Sequence, residues 1–176
     1  MARVLVVHSS FDGQTARIAE RIAGQLAKSG NDAVVRPLGE APDSLEGCDA
    51  VIVGGAIRYG HHARDLEKWV ARHREALAAR PNAFFSVCMS AGGPGARPET
   101  AKSYLDQFRQ RTGWEPRTLT SFAGACYYTR YNPLMRLMMR FIMSMAGGET
   151  DTSRDYEYTD WPEVERFADR FAAQSA

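Results

Sequence analysis

One short stretch of seven residues has the chemistry of a phosphate site. Ser9-Ser10-Phe11-Asp12-Gly13-Gln14-Thr15 combines hydroxyl donors with a glycine that lets the backbone come close. The apolar run Val4-Leu5-Val6-Val7 precedes it, and Ile18, Ala19, Ile22, Ala23 and Leu26 follow at helical spacing. A strand, a polar loop and a helix N-terminus are therefore expected in succession. Free N–H groups and the positive end of the helix dipole would point at an anion there. The loop has neither the lysine of a Walker A motif nor the spacing of G-x-G-x-x-G. A single phosphomonoester, such as that of FMN, fits better than a nucleoside triphosphate or a dinucleotide. An ordinary capped helix is the plainer alternative.

Two further loops end apolar runs. Ala50-Val51-Ile52-Val53 leads to Gly54-Gly55-Ala56-Ile57-Arg58-Tyr59-Gly60-His61-His62. Tyr59 is suited to lie against a flat heteroaromatic ring, and backbone N–H groups beside it to reach the ring's polar edge. Arg58 is suited to stabilise charge on a reduced ring or to bind a carboxylate. A surface aromatic and a solvated cation are the alternatives. Adjacent side chains such as His61 and His62 diverge, and no nearby acid or cysteine completes a metal site, so solvated or helix-capping roles are expected. Phe84-Phe85-Ser86-Val87 leads to Cys88-Met89-Ser90-Ala91-Gly92-Gly93-Pro94-Gly95, which has no aromatic ring.

These loops need strands and helices to hold them. Helices are expected from about Ala63 to Leu77, Pro98 to Gln110 and Pro162 to Ala173, with strands at Ala33–Val35 and Thr118–Ala125. Apolar runs alternating with helices indicate an α/β fold, a doubly wound parallel sheet buried on both faces. With five strands the common order is 2-1-3-4-5, whose cofactor crevice lies outside the carboxyl ends of strands 1, 3 and 4. Those are the strands followed by the three loops above.

The 176 residues suit one domain, 1–176, with a full core. A net charge of +1 gives no indication of nucleic acid. Cys48, Cys88 and Cys126 form no C-x-x-C pair and read as reduced intracellular thiols, with no metal site expected. Met1-Ala2-Arg3 runs straight into the first strand, so no signal peptide is expected there.

The region 126–160 is longer than a link from the last strand to the last helix requires. It begins Tyr127-Tyr128-Thr129-Arg130-Tyr131 and continues into a Met-rich apolar stretch, Leu134 to Ala146. Arg136, Arg140 and Ser144 recur every fourth residue, one polar stripe on an otherwise apolar helix. The helix is too short to cross a bilayer. It suits a membrane surface or the wall of an adaptable pocket; packing on its own domain or in a dimer interface stays open. The acidic close, Glu149 to Asp160, suits a structured loop.

The chain resembles the flavodoxin-type protoporphyrinogen oxidases of bacteria, the menaquinone-dependent protoporphyrinogen IX dehydrogenases. The matching residues are Asp12-Gly13-Gln14-Thr15, Ile57-Arg58-Tyr59-Gly60-His61, Gly147-Gly148-Glu149-Thr150-Asp151-Thr152 and Tyr158-Thr159-Asp160-Trp161. They span nearly the whole chain. The chain departs at Phe11, where a charged residue stands in a family member, and at the less basic Ala91–Gly95. The resemblance implies a flavodoxin-like fold and an FMN enzyme of haem biosynthesis. Electrons would leave protoporphyrinogen IX in three two-electron steps and pass to menaquinone or ubiquinone, a flavin carrying the hard step. FMN would be held by Ser10, Phe11, Asp12, Gly13, Gln14, Thr15, Ile57, Arg58, Tyr59, Gly60, Cys88, Met89, Ser90 and Asp151, with Arg58 and Tyr59 nearest the chemistry. Tyr127, Tyr128, Arg130, Arg136 and Arg140 would meet substrate or membrane. The implied location is cytoplasmic, peripheral on the inner face of the membrane. A homo-oligomer, a flavodoxin-like electron carrier, a general quinone reductase and a flavin-free adaptor on the same fold remain open.

Overall fold

In the computed structural model, which describes residues 1–175, five parallel strands form one sheet in the order β2-β1-β3-β4-β5. The strands are β1 (Arg3–Ser9), β2 (Asp32–Pro37), β3 (Ala50–Ala56), β4 (Asn82–Cys88) and β5 (Thr118–Ala123). Register follows from burial on both faces. Val4 and Val6 turn to one core, Leu5 and Val7 to the other, and Val4 pairs with Ala50 and Ala33. A shift by one residue would exchange these faces, and both are apolar because both are covered.

Helices α1 (Gln14–Lys28) and α5 (Trp161–Gln174) cover the first face; α2 (Arg64–Ala78) and α3 (Pro98–Thr112) cover the second. Ile18, Ala19, Ile22 and Leu26 form the buried stripe of α1. The helix ends at Ser29 and Gly30, the latter in the left-handed region that a helix terminus favours. On the second face Phe84 and Phe108 stack at 3.9 Å between ring centroids, and the ring of His62 meets both edge-on.

The chain leaves the sheet at Gly124. Expected strand 118–125 is thus divided: β5 stops at Ala123, and β6 (Ala125–Cys126) pairs antiparallel with β7 (Tyr156–Glu157). Between them lies α4 (Pro133–Met145), started by Pro133 at its first position and capped by Asn132, whose side chain accepts from the Met135 N–H at 2.8 Å. The insertion has its own small core of Cys126, Tyr128 and Met143, with Met89, Met139 and Tyr156 packed around it. Among the described residues no helix is long and apolar enough to cross a membrane.

Candidate functional site

The first polar loop forms the sharpest geometry in the chain. Gly13 has φ 95° at the start of α1, a conformation that a side chain would strain. Its N–H donates to Ser10 Oγ at 3.1 Å, which closes the loop. The first helical bond runs from the Arg17 N–H to the Gly13 carbonyl at 3.1 Å. The N–H groups of Gln14, Thr15 and Ala16 therefore face outward without a carbonyl acceptor. Three free donors, a hydroxyl pair and a helix N-terminus fit a phosphate dianion.

From this loop a cleft runs across the carboxyl ends of β1, β3 and β4. Ser10, Asp12 and Thr15 line one end; Ile57, Arg58, Val87 and Met89 line the other. The second end is largely apolar, as a flat ring requires. The Ile57 N–H is spent on the Val87 carbonyl at 2.9 Å, and that of Arg58 on His61 at 3.0 Å. The amides left to meet a ring edge are those of Tyr59 and Gly60, at the tip of a turn where Tyr59 has φ 51°. Arg58 lies between two rings, 5.0 Å from the centroid of Phe11 and 5.3 Å from that of Tyr59. Cys88 lines the cleft as a neutral thiol, because burial pushes its pKa up. A flavin mononucleotide fits this cleft at both ends.

Beside the cleft α4 presents an apolar wall outward. Leu134 is 78% exposed, Phe141 66% and Met145 75%, and Leu137, Met138 and Ile142 share that face. Leaving such a side chain in water forgoes roughly 1.5–3 kcal/mol relative to burial. Tyr59, 69% exposed, lines a groove with Leu134, Leu137, Met138 and Phe141. One turn thus borders both spaces: Arg58 faces the cleft and Tyr59 the groove.

Several expectations are corrected. The stripe of Arg136, Arg140 and Ser144 does not lie outward as a unit. Arg136 turns inward and donates to the carbonyls of Tyr128 at 3.0 Å and Tyr131 at 3.2 Å. The Tyr128 carbonyl also accepts from the Tyr131 N–H at 3.3 Å, and the guanidinium ties this turn to α4. Arg140 stays exposed. Tyr128 is fully buried, its hydroxyl on the Glu149 carbonyl at 2.9 Å, and its pKa is pushed up to about 12 by burial. Tyr127 is buried too, with its hydroxyl on Gln14 Oε1. Both are packing residues, since their rings fill the insertion's junction with the domain. Asp151 caps its own turn, accepting from the Ser153 N–H at 3.0 Å and pairing with Arg154 at 3.4 Å, and it does not line the cleft. Ser90 lines a separate groove beneath α4. His62 is neither solvated nor a cap. It is buried against Phe84 and Phe108, its Nε2 is 2.9 Å from Ser86 Oγ, and burial drives its pKa down to about 3.

Other members were not anticipated. Gly124 and Ala125 line the cleft where the chain leaves β5; the glycine directly after an apolar strand end is the signal for them. The loop after β4 is small because the insertion lies on it: a Cβ on Gly95 would stand 2.5 Å from that of Ala146. No local signal reports that contact.

Residues 5–153 match the flavodoxin domain family. The chain is 37% identical over 171 residues to the protoporphyrinogen IX dehydrogenase [quinone] of Escherichia coli K12, covering 97% of this chain and 94% of that one. It is 37% identical over 183 residues to the protein of the same name from Leishmania major, covering 97% of this chain and 75% of the relative. The solved flavodoxin 2 of Bacillus cereus superposes with a TM-score of 0.59 at 18% identity, over 98% of this chain and 99% of that one.

Proposed function

The chain belongs to the flavodoxin domain family, among the protoporphyrinogen IX dehydrogenases [quinone], and from that premise we propose that it oxidises protoporphyrinogen IX with FMN and delivers the electrons to a quinone. The observation that carries the reading is the turn Arg58-Tyr59, which borders the cleft of the first loop on one side and the apolar groove of α4 on the other. A reduced porphyrin macrocycle and a quinone are both large and apolar, and both need such a surface within reach of a flavin ring.

When bound, FMN supplies two-electron acceptance from the reduced substrate and donation to the acceptor. The protein's part is position and electrostatics. The amides of Gln14, Thr15 and Ala16 hold the phosphate, and Ser10 keeps their loop closed. Arg58, fixed between Phe11 and Tyr59, places a positive charge where negative charge grows on a reduced ring. The amides of Tyr59 and Gly60 are free to meet the ring edge. The neutral thiol of Cys88 adds no opposing charge.

The α4 face extends the reading to the membrane. Leu134, Leu137, Phe141 and Met145 enter the acyl boundary, with Arg140 at its edge near anionic headgroups. This peripheral position brings the groove to a lipid-dissolved quinone.

The test is anaerobic turnover of protoporphyrinogen IX, with and without a quinone. Protoporphyrin should accumulate catalytically only with quinone, and a single turnover should bleach the flavin without it. No oxidation in either condition, by protein shown to hold FMN, would refute the reading.

A further inference from the structure

The insertion returns to the phosphate loop. Arg130, between β6 and α4, donates from Nη1 to the Asp12 carbonyl at 3.0 Å. The same nitrogen lies 3.6 Å from where a Cβ on Gly13 would stand. Its guanidinium carbon lies over the Tyr127 ring, 4.2 Å from the centroid. No ion pair among the described residues includes it. The charge is thus held against the loop whose amides await an anion, outside any ion pair among the described residues.

Gln14, the first residue of α1, fixes this arrangement. Its Nε2 donates to Thr159 Oγ1 at 2.7 Å, and its Oε1 accepts from the Tyr127 hydroxyl and from Arg17 at 3.1 Å. Thr159 in turn donates to the Ala123 carbonyl at 2.7 Å. Both ends of the insertion therefore grip the start of the phosphate-binding helix. Gln14 and Thr15 are buried there, so the loop cannot shift without breaking these bonds.

We propose that Arg130 is a phosphate-binding residue of the FMN site, a cation that the insertion brings to a loop with no cation of its own. The proposal rests on the FMN reading and deepens it. Residues 9–15 contain the acid Asp12 and no lysine or arginine, so amides alone would have to offset a phosphate dianion beside a carboxylate. A guanidinium with free donors supplies the missing charge in charge-assisted hydrogen bonds. It also makes retention of the cofactor depend on a segment more than a hundred residues away in sequence.

The apoprotein's affinities for FMN and for riboflavin, which lacks the phosphate, measure this directly by quenching of flavin fluorescence. Arg130→Gln keeps a donor for the Asp12 carbonyl and removes the charge. The variant should bind FMN about ten- to a hundredfold more weakly than wild type, with riboflavin affinity unchanged. Salt should weaken FMN binding to wild type more than to the variant. An unchanged preference for FMN over riboflavin would overturn the proposal. So would an equal loss for both ligands, which would mark Arg130 as a structural residue. A wild-type apoprotein that binds neither flavin would instead refute the cofactor reading, and the proposal with it.

Discussion

The phosphate loop and the insertion meet at one cleft but are built on opposite principles. The loop is made by neighbours in sequence: a strand end, a serine that bonds Gly13 three residues on, and a helix that starts at once. The insertion is made by partners far apart. Tyr127 bonds Gln14, Arg130 bonds Asp12, and Tyr128 bonds Glu149. The loop closes as its residue types suggest, with Ser10 bonding Gly13 and the helix starting at once. Several of the insertion's conspicuous residues, Tyr127, Tyr128 and Arg136, are taken up in holding it together, whereas the outward face of α4 is left free. The lesson is that an aromatic and basic run is ambiguous until its partners are known, whereas a strand–loop–helix junction is nearly self-contained.

The largest expected effect separates the two regions. Leu134→Ser, Leu137→Ser and Phe141→Ser combined change exposed residues and leave Met143 and Tyr128 packed. Vesicle binding should fall by at least about a hundredfold, at roughly 1.5–3 kcal/mol for each side chain kept from the acyl boundary. Turnover with a lipid-dissolved quinone should fall with it, while FMN content and reduction by a soluble reductant stay at wild-type levels. Sedimentation with anionic vesicles, read beside flavin absorbance, checks both halves.

Next comes the loop itself. Gly13→Val forces a β-branched residue to φ 95°, at a cost of about 1–3 kcal/mol. With Thr15→Ala added, FMN affinity should fall by roughly ten- to a hundredfold while the far-UV circular dichroism stays that of the wild type. Stoichiometric flavin at unchanged affinity in the double variant would move the phosphate elsewhere.

A smaller effect probes the turn that joins the regions. Tyr59→Ala removes the ring beside Arg58 and one wall of the groove. The flavin potential or its absorption bands should shift, whereas Arg58→Ala should lower turnover by about ten- to a hundredfold with little loss of FMN. Unchanged potential and turnover in both variants would place the ring away from this turn.

A last effect, on stability and not on the site, concerns pH. His62 has a pKa of about 3 when folded and 6.5 as its ordinary value, so the unfolded chain binds its proton more readily. Stability from this residue is fully present above the ordinary value and is lost as pH falls toward the folded one. The slope is at most about 1.4 kcal/mol per pH unit inside that window. Urea midpoints of wild type and His62→Gln, compared across it, should converge as the pH falls. Parallel curves would show that the imidazole is not kept neutral by its site.

Much of the cleft was legible because its signals are local. Val4 to Val7 followed by hydroxyls and Gly13 is enough to place a strand, a tight loop and a helix start, and Arg58-Tyr59-Gly60 after an apolar strand is enough to place a turn at the crevice. His62 was misread for want of a neighbour: nothing in its own segment says that Phe84, Ser86 and Phe108 enclose it. Arg136 was misread for a similar reason. Helical spacing groups it with Arg140, but the carbonyls of Tyr128 and Tyr131 turn it toward the domain.

Sequence by itself determined the five strands of the sheet, the helices, the sheet order and the strand–loop–helix junction at Ser9 to Thr15. Those follow from periodicity and from backbone groups that must be satisfied within a few residues. It also marked the insertion as apolar and helical. Only the tertiary structure decided which face of α4 lies outward, which tyrosines are buried, and that Arg130 reaches the Asp12 carbonyl. Each of those outcomes depends on which distant surface a side chain covers or which distant carbonyl it can satisfy. Spacing along the chain carries no information about either.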